Sequence, residues 1–126
     1  MTFLFTDLEN STPLWEQFPD EMQQISARHD LLLRQVIETH GGRVIKTTGD
    51  GFHAVFESPL DAVAATLSGQ QAISAEPWPA KTGPLKVRMG LHTGESQERA
   101  GDYYGVEVNK AARVMGIGHG GQILLS

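Results

Sequence analysis

Hydrophobic residues follow two different periods along this chain. Short runs that are apolar or that alternate between apolar and polar residues are typical of β-strands. They predict strands at residues 2–5, 43–47, 52–56, 85–92 and 122–125. In the strand at 85–92 the alternation places Leu85, Val87, Met89 and Leu91 on one face. The strands are therefore spread over the whole chain, with other elements between them.

Helical spacing fills most of the gaps between these strands. Thr12 followed by Pro13 predicts a helix start with Thr12 as its N-cap, and Asp20 begins a longer helix that ends at Gly41. Ser58 opens another helix, and a last one is predicted around residues 106–115. The buried face of the helix after Ser58 is predicted to carry Leu60, Val63, Ala64, Leu67 and Ile73.

The order of elements predicts the fold. It is β-α-β-β-α-β, followed by one more helix and strand. This order is that of a ferredoxin-like split βαβ sheet, an α+β fold with helices on one face of a largely antiparallel sheet. We expect residues 1–126 to form a single domain.

Composition limits the function classes. The 126 residues carry a formal net charge of −5 without a run of like charges, so a nucleic-acid-binding surface is not expected. There is no cysteine, which leaves only oxygen and imidazole ligands for a metal ion. No stretch is long enough to cross a membrane and no signal peptide is recognisable, so the sequence predicts a cytoplasmic domain without a membrane partner.

Two carboxylates are predicted to meet at one edge of the sheet. Asp7 follows the first strand, and Asp50 lies between two glycines at the tip of the hairpin formed by 43–47 and 52–56. In a split βαβ sheet the first strand lies beside this hairpin. Neighbouring carboxylates repel one another unless a cation lies between them, and Mg²⁺ prefers oxygen ligands. Taken singly, Asp50 could be a turn residue and Asp7 a plain strand-end acid.

A phosphate site is predicted beside these acids. Residues 8–12, LENST, connect Asp7 to a helix N-terminus, where backbone N–H groups attract anions. Asn10, Ser11 and Thr12 are the candidate residues. A metal site next to a phosphate site suits a nucleoside triphosphate with Mg²⁺.

Three ordered motifs carry a resemblance. FTDLENST, GGRVIKTTGDG and GDYYGVEVNKAARV together resemble the class III nucleotidyl cyclase catalytic domain, over nearly the whole chain. The resemblance implies a lyase that makes 3′,5′-cyclic AMP or cyclic GMP from the triphosphate. It also implies that Asp7, Asp50 and the carbonyl of Leu8 bind two Mg²⁺ or Mn²⁺ ions.

The resemblance further implies four nucleotide-facing residues. Lys46 and Asp102 match the pair that reads the base, and a lysine donor with an aspartate acceptor complements adenine, so the expected substrate is ATP. Asn109 and Arg113 match the pair that orients the ribose and stabilises the transition state. Family members build the site across a head-to-tail homodimer, with the metal acids from one subunit and these four residues from the other.

The chain departs from the family pattern at two places. Asn10 stands where the family usually has glycine, and Ser126 is reached before the helix and strand pair that usually follow. We therefore expect a domain truncated at its C-terminus with reduced activity, next to a fused or separate regulatory domain. The alternative is a cyclase-like module that binds a nucleotide without turnover. A diguanylate cyclase is disfavoured because the hairpin lacks a GGDEF-like sequence.

The remaining candidates for chemistry have structural interpretations. His92 and His119 have no other metal ligand at suitable spacing, so we interpret both as structural or solvent-facing. Trp15 and Phe18 lie at helical spacing and are interpreted as core or interface residues rather than a platform on which the base stacks.

Overall fold

The structure is a computed structural model that describes residues 1–94, 97–99, 102–104 and 123–125. Three helices and seven strands occur in these ranges. In chain order they are β1 (Thr2–Leu8), α1 (Ser11–Gln17), α2 (Pro19–Thr39), β2 (Arg43–Thr48), β3 (Gly51–Phe56), α3 (Pro59–Ala75), β4 (Val87–Thr93), β5 (Gln97–Arg99), β6 (Asp102–Tyr104) and β7 (Ile123–Leu125). The helix predicted at 106–115 and His119 lie outside the described residues.

Five strands form the main sheet in the order β2-β3-β1-β4-β7. β1 pairs antiparallel with both β3 and β4, while β7 adds to β4 in parallel. The order β4-β1-β3-β2 is that of a split βαβ sheet, so the predicted fold is confirmed. β5 and β6 form a separate antiparallel pair in a region where the sequence predicted no strand.

One face of the sheet and the helices α2 and α3 enclose the core. Phe52, Phe56 and Met22 are among its largest fully buried side chains. Val87, Met89 and Leu91 of β4 belong to the same cluster together with Leu85, as the alternation predicted. Leu4 and Leu8 contribute the core-facing positions of β1. Since strand residues alternate between the two faces, Asp7 lies on the face opposite to this core.

The predicted buried face of α3 is wrong except at Ile73. Leu60, Val63 and Leu67 are exposed, and the buried positions are Ala62, Ala65, Thr66, Gly69 and Ile73. The small residues allow a close approach: a Cβ on Gly69 would lie 3.3 Å from both Leu33 Cδ2 and Met89 Cε. α3 therefore packs through its small side chains and Ile73, while Leu60, Val63 and Leu67 point outward.

The starts of the helices also refine the prediction. α1 begins at Ser11 after Asn10, so Thr12 is not its N-cap. α2 begins at Pro19, one residue before the predicted start. Ser58 does cap α3, and its hydroxyl accepts a hydrogen bond from the Asp61 N–H at 3.3 Å. β1 continues to Leu8, so Asp7 lies within the strand rather than after it.

Candidate active site

The tip of the β2–β3 hairpin lies directly against the end of β1. A Cβ on Gly51 would overlap the carbonyl oxygen of Thr6 and would lie 3.5 Å from Asp7 Cα. The Phe52 N–H also donates a hydrogen bond to Thr6 Oγ1 at 3.0 Å. Because Asp50 immediately precedes Gly51, the backbone segments that carry Asp7 and Asp50 adjoin, as the sequence predicted.

Asp7 is held by an arginine that the sequence analysis missed. Arg88 donates two hydrogen bonds to its carboxylate, Nε to Oδ1 at 2.6 Å and Nη2 to Oδ2 at 2.5 Å. The side chains are 31% and 27% exposed. Hydrogen bonding to Asp7 raises the pKa of Arg88, although burial opposes this. Arg88 is the cross-strand partner of Asp7, which becomes visible only from the register of β1 and β4.

Asp50 has a different partner. The indole Nε1–H of Trp15 on α1 donates to Asp50 Oδ1 at 3.1 Å. Trp15 is partly buried and packs against the core, as does Phe18, in agreement with their structural interpretation. The hydrogen bond to Asp50 was not predicted, since it depends on how α1 lies over the hairpin.

His29 lies behind the hairpin in the core. Its ring is fully buried and its centroid lies 6.0 Å from that of Phe52. Nδ1 is 2.9 Å from Asp30 Oδ1, while Nε2 has no hydrogen-bond partner among the described residues. Burial lowers the pKa of His29, and the charges of Asp30 and Asp50 partly oppose this effect. His92 is also buried, in keeping with a structural role.

The predicted phosphate loop begins with a left-handed residue. Asn10 has φ 58° and ψ 31°, a conformation that asparagine tolerates better than most residues. Ser11 and Thr12 form the first turn of α1. The loop is joined to the sheet by a hydrogen bond from the Glu9 N–H to the Lys86 carbonyl at 2.9 Å. Asn10 therefore supplies a positive φ at the start of this loop.

The predicted base-reading residues are described only in part. Lys46 is exposed on β2, beyond an irregularity between Val44 and Lys46 that shifts its pairing to His53. The backbone of Asp102 opens β6, and β6 contacts β2. Asn109 and Arg113 lie outside the described residues. The strand segments that carry Lys46 and Asp102 are therefore neighbours within one chain.

A family model matches this arrangement of motifs over the entire chain. The adenylate and guanylate cyclase catalytic domain aligns with residues 1–126. The chain belongs to this cyclase family. An adenylate cyclase of Lachancea kluyveri is 36% identical over 150 aligned residues, covering 100% of this chain. An uncharacterized protein of Mycobacterium tuberculosis is 38% identical over 128 residues, again covering 100% of this chain.

Solved cyclase structures share the fold. Adenylate cyclases from Trypanosoma brucei, determined in their monomeric state, superpose with a TM-score of 0.90 at 28% identity, over 98% of this chain and 71% of that chain. The cyclase domain described here spans 8% of the Lachancea protein and 42% of the mycobacterial protein. None of the helices in the described ranges is long and apolar enough to cross a bilayer.

The donor set of this cyclase domain fits a divalent metal ion of the Mg²⁺ type. Within the described residues no group of three or more His, Asp or Glu side chains converges as a metal site. Mg²⁺ is commonly held by one or two carboxylates, with substrate phosphates completing its shell. Asp7 and Asp50 supply such a pair, and the missing Cβ of Gly51 allows their backbone segments to adjoin. Leu8, next to Asp7, offers a main-chain carbonyl.

Proposed function

We propose that this cyclase domain converts ATP into 3′,5′-cyclic AMP and pyrophosphate, with divalent cations bound by Asp7, Asp50 and the Leu8 carbonyl. The observation that carries the proposal is the close approach of Gly51 to Thr6 and Asp7, which brings the two acid-bearing segments together. A turn needing only glycine and aspartate would not require such packing against the neighbouring strand.

The reaction joins the ribose 3′-oxygen to the α-phosphorus. The 3′-hydroxyl loses its proton to solvent, the 3′-oxygen forms a bond to the α-phosphorus, and the bond from that phosphorus to the bridging oxygen of the β-phosphate breaks to release pyrophosphate. Bound cations would assist the loss of that proton and neutralise charge on the phosphates. Within the chain, Asp7 and Asp50 hold the cations. The triphosphate is assigned to the loop Asn10–Thr12, which follows β1, and to the guanidinium of Arg88, which binds Asp7 on that strand.

Base selection is assigned to Lys46 and Asp102. Adenine presents an acceptor at N1 and an amino donor at N6, and these complement a lysine and an aspartate. Guanine reverses both groups, so each pairing would be mismatched. A buried mismatch of this kind costs about 1–3 kcal/mol. The proposal therefore includes a preference for ATP over GTP of at least about tenfold.

The complete site is assigned to a homodimer. Asn109 and Arg113, which orient the ribose and stabilise the transition state in the family, would act on a nucleotide whose metal ions are held by the other subunit. The family resemblance supports this arrangement. The Trypanosoma brucei structures were determined in a monomeric state, which describes those proteins and not this chain.

A nucleotide-binding module without turnover is the second candidate. The observation that favours it is the ion pair between Asp7 and Arg88, which engages both carboxylate oxygens of one proposed metal ligand. If this pair persisted with nucleotide bound, Asp7 would be a weak ligand for a cation. The domain would then bind a triphosphate through the loop at Asn10 without cyclising it.

One assay with mixed chains tests the proposal. Cyclic AMP and cyclic GMP are measured with ATP or GTP, in Mg²⁺ or Mn²⁺, at several protein concentrations. Specific activity should rise with concentration, and ATP should be used at least about tenfold better than GTP. Mixing Asp50→Ala chains with Arg113→Ala chains should restore one working site per heterodimer. Binding of nucleotide with no cyclic product under any condition would favour the second candidate.

A further inference from the structure

We propose that Trp15 is a positioning residue that fixes the carboxylate of Asp50 for metal binding. Its indole N–H holds Oδ1 at 3.1 Å and leaves Oδ2 for the cation. Within the described residues no second hydrogen bond reaches this carboxylate. The inference rests on the proposed role of Asp50 as a metal ligand. It adds Trp15 to the site as the residue that orients this ligand.

Asp50 depends on a partner outside its own hairpin. It is flanked by Gly49 and Gly51, which have no side chains to restrain its rotamer. Gly49 has φ 54°, so the turn is tight and the carboxylate stands at its tip. The contact that fixes the side chain therefore comes from α1, and α1 is placed by the left-handed residue Asn10 that precedes it.

The chemistry of the indole suits this role. The Nε1–H of tryptophan only donates hydrogen bonds, so it cannot compete with the carboxylate for a cation. It is also neutral, and Asp50 keeps its full charge. Groups that orient a metal ligand through its remaining oxygen or nitrogen affect metal affinity strongly, and their loss costs about 10- to 100-fold.

A purely structural bond between α1 and the hairpin would look the same in the fold. The chain offers a matched control, since it contains two tryptophans. Trp78 also packs against the core, and its Nε1–H donates to the Ile73 carbonyl at 2.8 Å. Trp15→Phe and Trp78→Phe each remove one indole N–H and keep an aromatic ring. Only the first removal touches Asp50.

The experiment measures binding of Mn²⁺ alone, from the electron paramagnetic resonance signal of the free ion, in the parent, Trp15→Phe, Trp78→Phe and Asp50→Asn. Urea unfolding is followed for every variant. Trp15→Phe should weaken Mn²⁺ binding about tenfold, whereas Trp78→Phe should leave it unchanged even where it lowers stability. Asp50→Asn should lose the site.

A second measurement does not require Trp15→Phe to fold. In the Trp78→Phe protein Trp15 is the sole tryptophan, so paramagnetic Mn²⁺ bound at Asp50 should quench its fluorescence with the same midpoint as the resonance titration. In the Trp15→Phe protein the emission of Trp78 should not respond.

The outcomes separate the two proposals. Unchanged Mn²⁺ affinity in Trp15→Phe, with binding lost in Asp50→Asn, would overturn the positioning role and leave the metal site in place. Trp15 emission that ignores saturating Mn²⁺ would do the same. Parent-like Mn²⁺ binding by Asp50→Asn would overturn the metal assignment of Asp50, and the role of Trp15 with it.

Discussion

Asp7 and Asp50 lie on adjoining backbone segments, yet the fold holds them in different ways. Arg88 engages both oxygens of Asp7 through a charged fork, whereas Trp15 engages one oxygen of Asp50 through a neutral N–H. The negative charge of Asp7 is thus balanced inside the fold. On the proposed assignment, a cation must compete with Arg88 for Asp7, but it can join Asp50 without breaking the bond to Trp15.

The difference suggests how metal and triphosphate binding are linked. A guanidinium fork matches phosphate as well as carboxylate. Once Arg88 leaves Asp7, the nearest new anion would be the triphosphate that arrives with the cation. Asp50, by contrast, already has the hydrogen bond from Trp15 that it would keep on binding a cation. On the proposed assignment, Asp7 therefore exchanges partners when the cation and triphosphate bind, and Asp50 keeps its partner.

The largest expected effect comes from removing either acid. Asp7→Asn and Asp50→Asn should each lower kcat by about 1,000-fold or more, because each removes a ligand of cations that stabilise several kcal/mol of transition-state charge. The two variants should differ in urea unfolding. Asp7→Asn should lose more stability, since it leaves the partly buried guanidinium of Arg88 without its counter-charge. Near-parental turnover by either variant would contradict the shared metal site.

A smaller effect is expected at Arg88, where one substitution should weaken the binding of ATP and strengthen the binding of Mn²⁺ alone. Arg88→Ala should weaken ATP binding by about 10- to 100-fold, equivalent to losing charge-assisted hydrogen bonds of about 1.5–3 kcal/mol. The same variant should bind Mn²⁺ alone more tightly than the parent, because the competitor for Asp7 is gone. Lys86→Ala removes a nearby exposed positive charge and is the matched control. If Arg88→Ala weakened Mn²⁺ binding instead, partner exchange at Asp7 would be ruled out.

The smallest expected effect concerns the pH dependence of stability, and it again distinguishes Asp50 from Asp7. Burial lowers the pKa of His29, so the folded protein resists a proton that the unfolded chain accepts below about 6.5. Stability should therefore fall as the pH drops below that value, by at most about 1.4 kcal/mol per pH unit.

His29→Leu should flatten this slope in urea unfolding curves. The charge of Asp50 partly opposes the lowering of the His29 pKa. Asp50→Asn should therefore lower the pKa further in an NMR titration, and Asp7→Asn should change it less. Equal shifts in the two variants would show that Asp50 has no special proximity to His29.

Much of the fold could be predicted because its signals are local. Alternation located β2, β3 and β4, and the order of elements determined the neighbours of β1. The buried face of α3 could not be found in this way, because helical spacing counts large apolar residues such as Leu60 and Leu67. The helix instead packs largely through Ala62, Ala65 and Gly69, because these small residues allow it to approach α2 and β4 closely.

In the candidate site, too, the sequence predicts some features and misses others. The proximity of Asp7 and Asp50 could be predicted because glycines mark the hairpin tip and the topology places β1 beside it. Arg88 and Trp15 were missed as partners because their contacts depend on the register between β1 and β4 and on the orientation of α1. Both relations join residues far apart in sequence, where no short motif records them.

The central place of β1 in the sheet also bears on how the chain folds. Thr2 pairs with Phe56 on one side and with Thr93 on the other, so β1 is completed by a strand about 90 residues further along the chain. The β2–β3 hairpin can close locally, but β1 must wait for β4, and such non-local pairing slows folding. Until residue 93 is available, the edge of β1 that pairs with β4 stays open along Phe3, Leu4 and Phe5. During synthesis such an open apolar edge is exposed to aggregation.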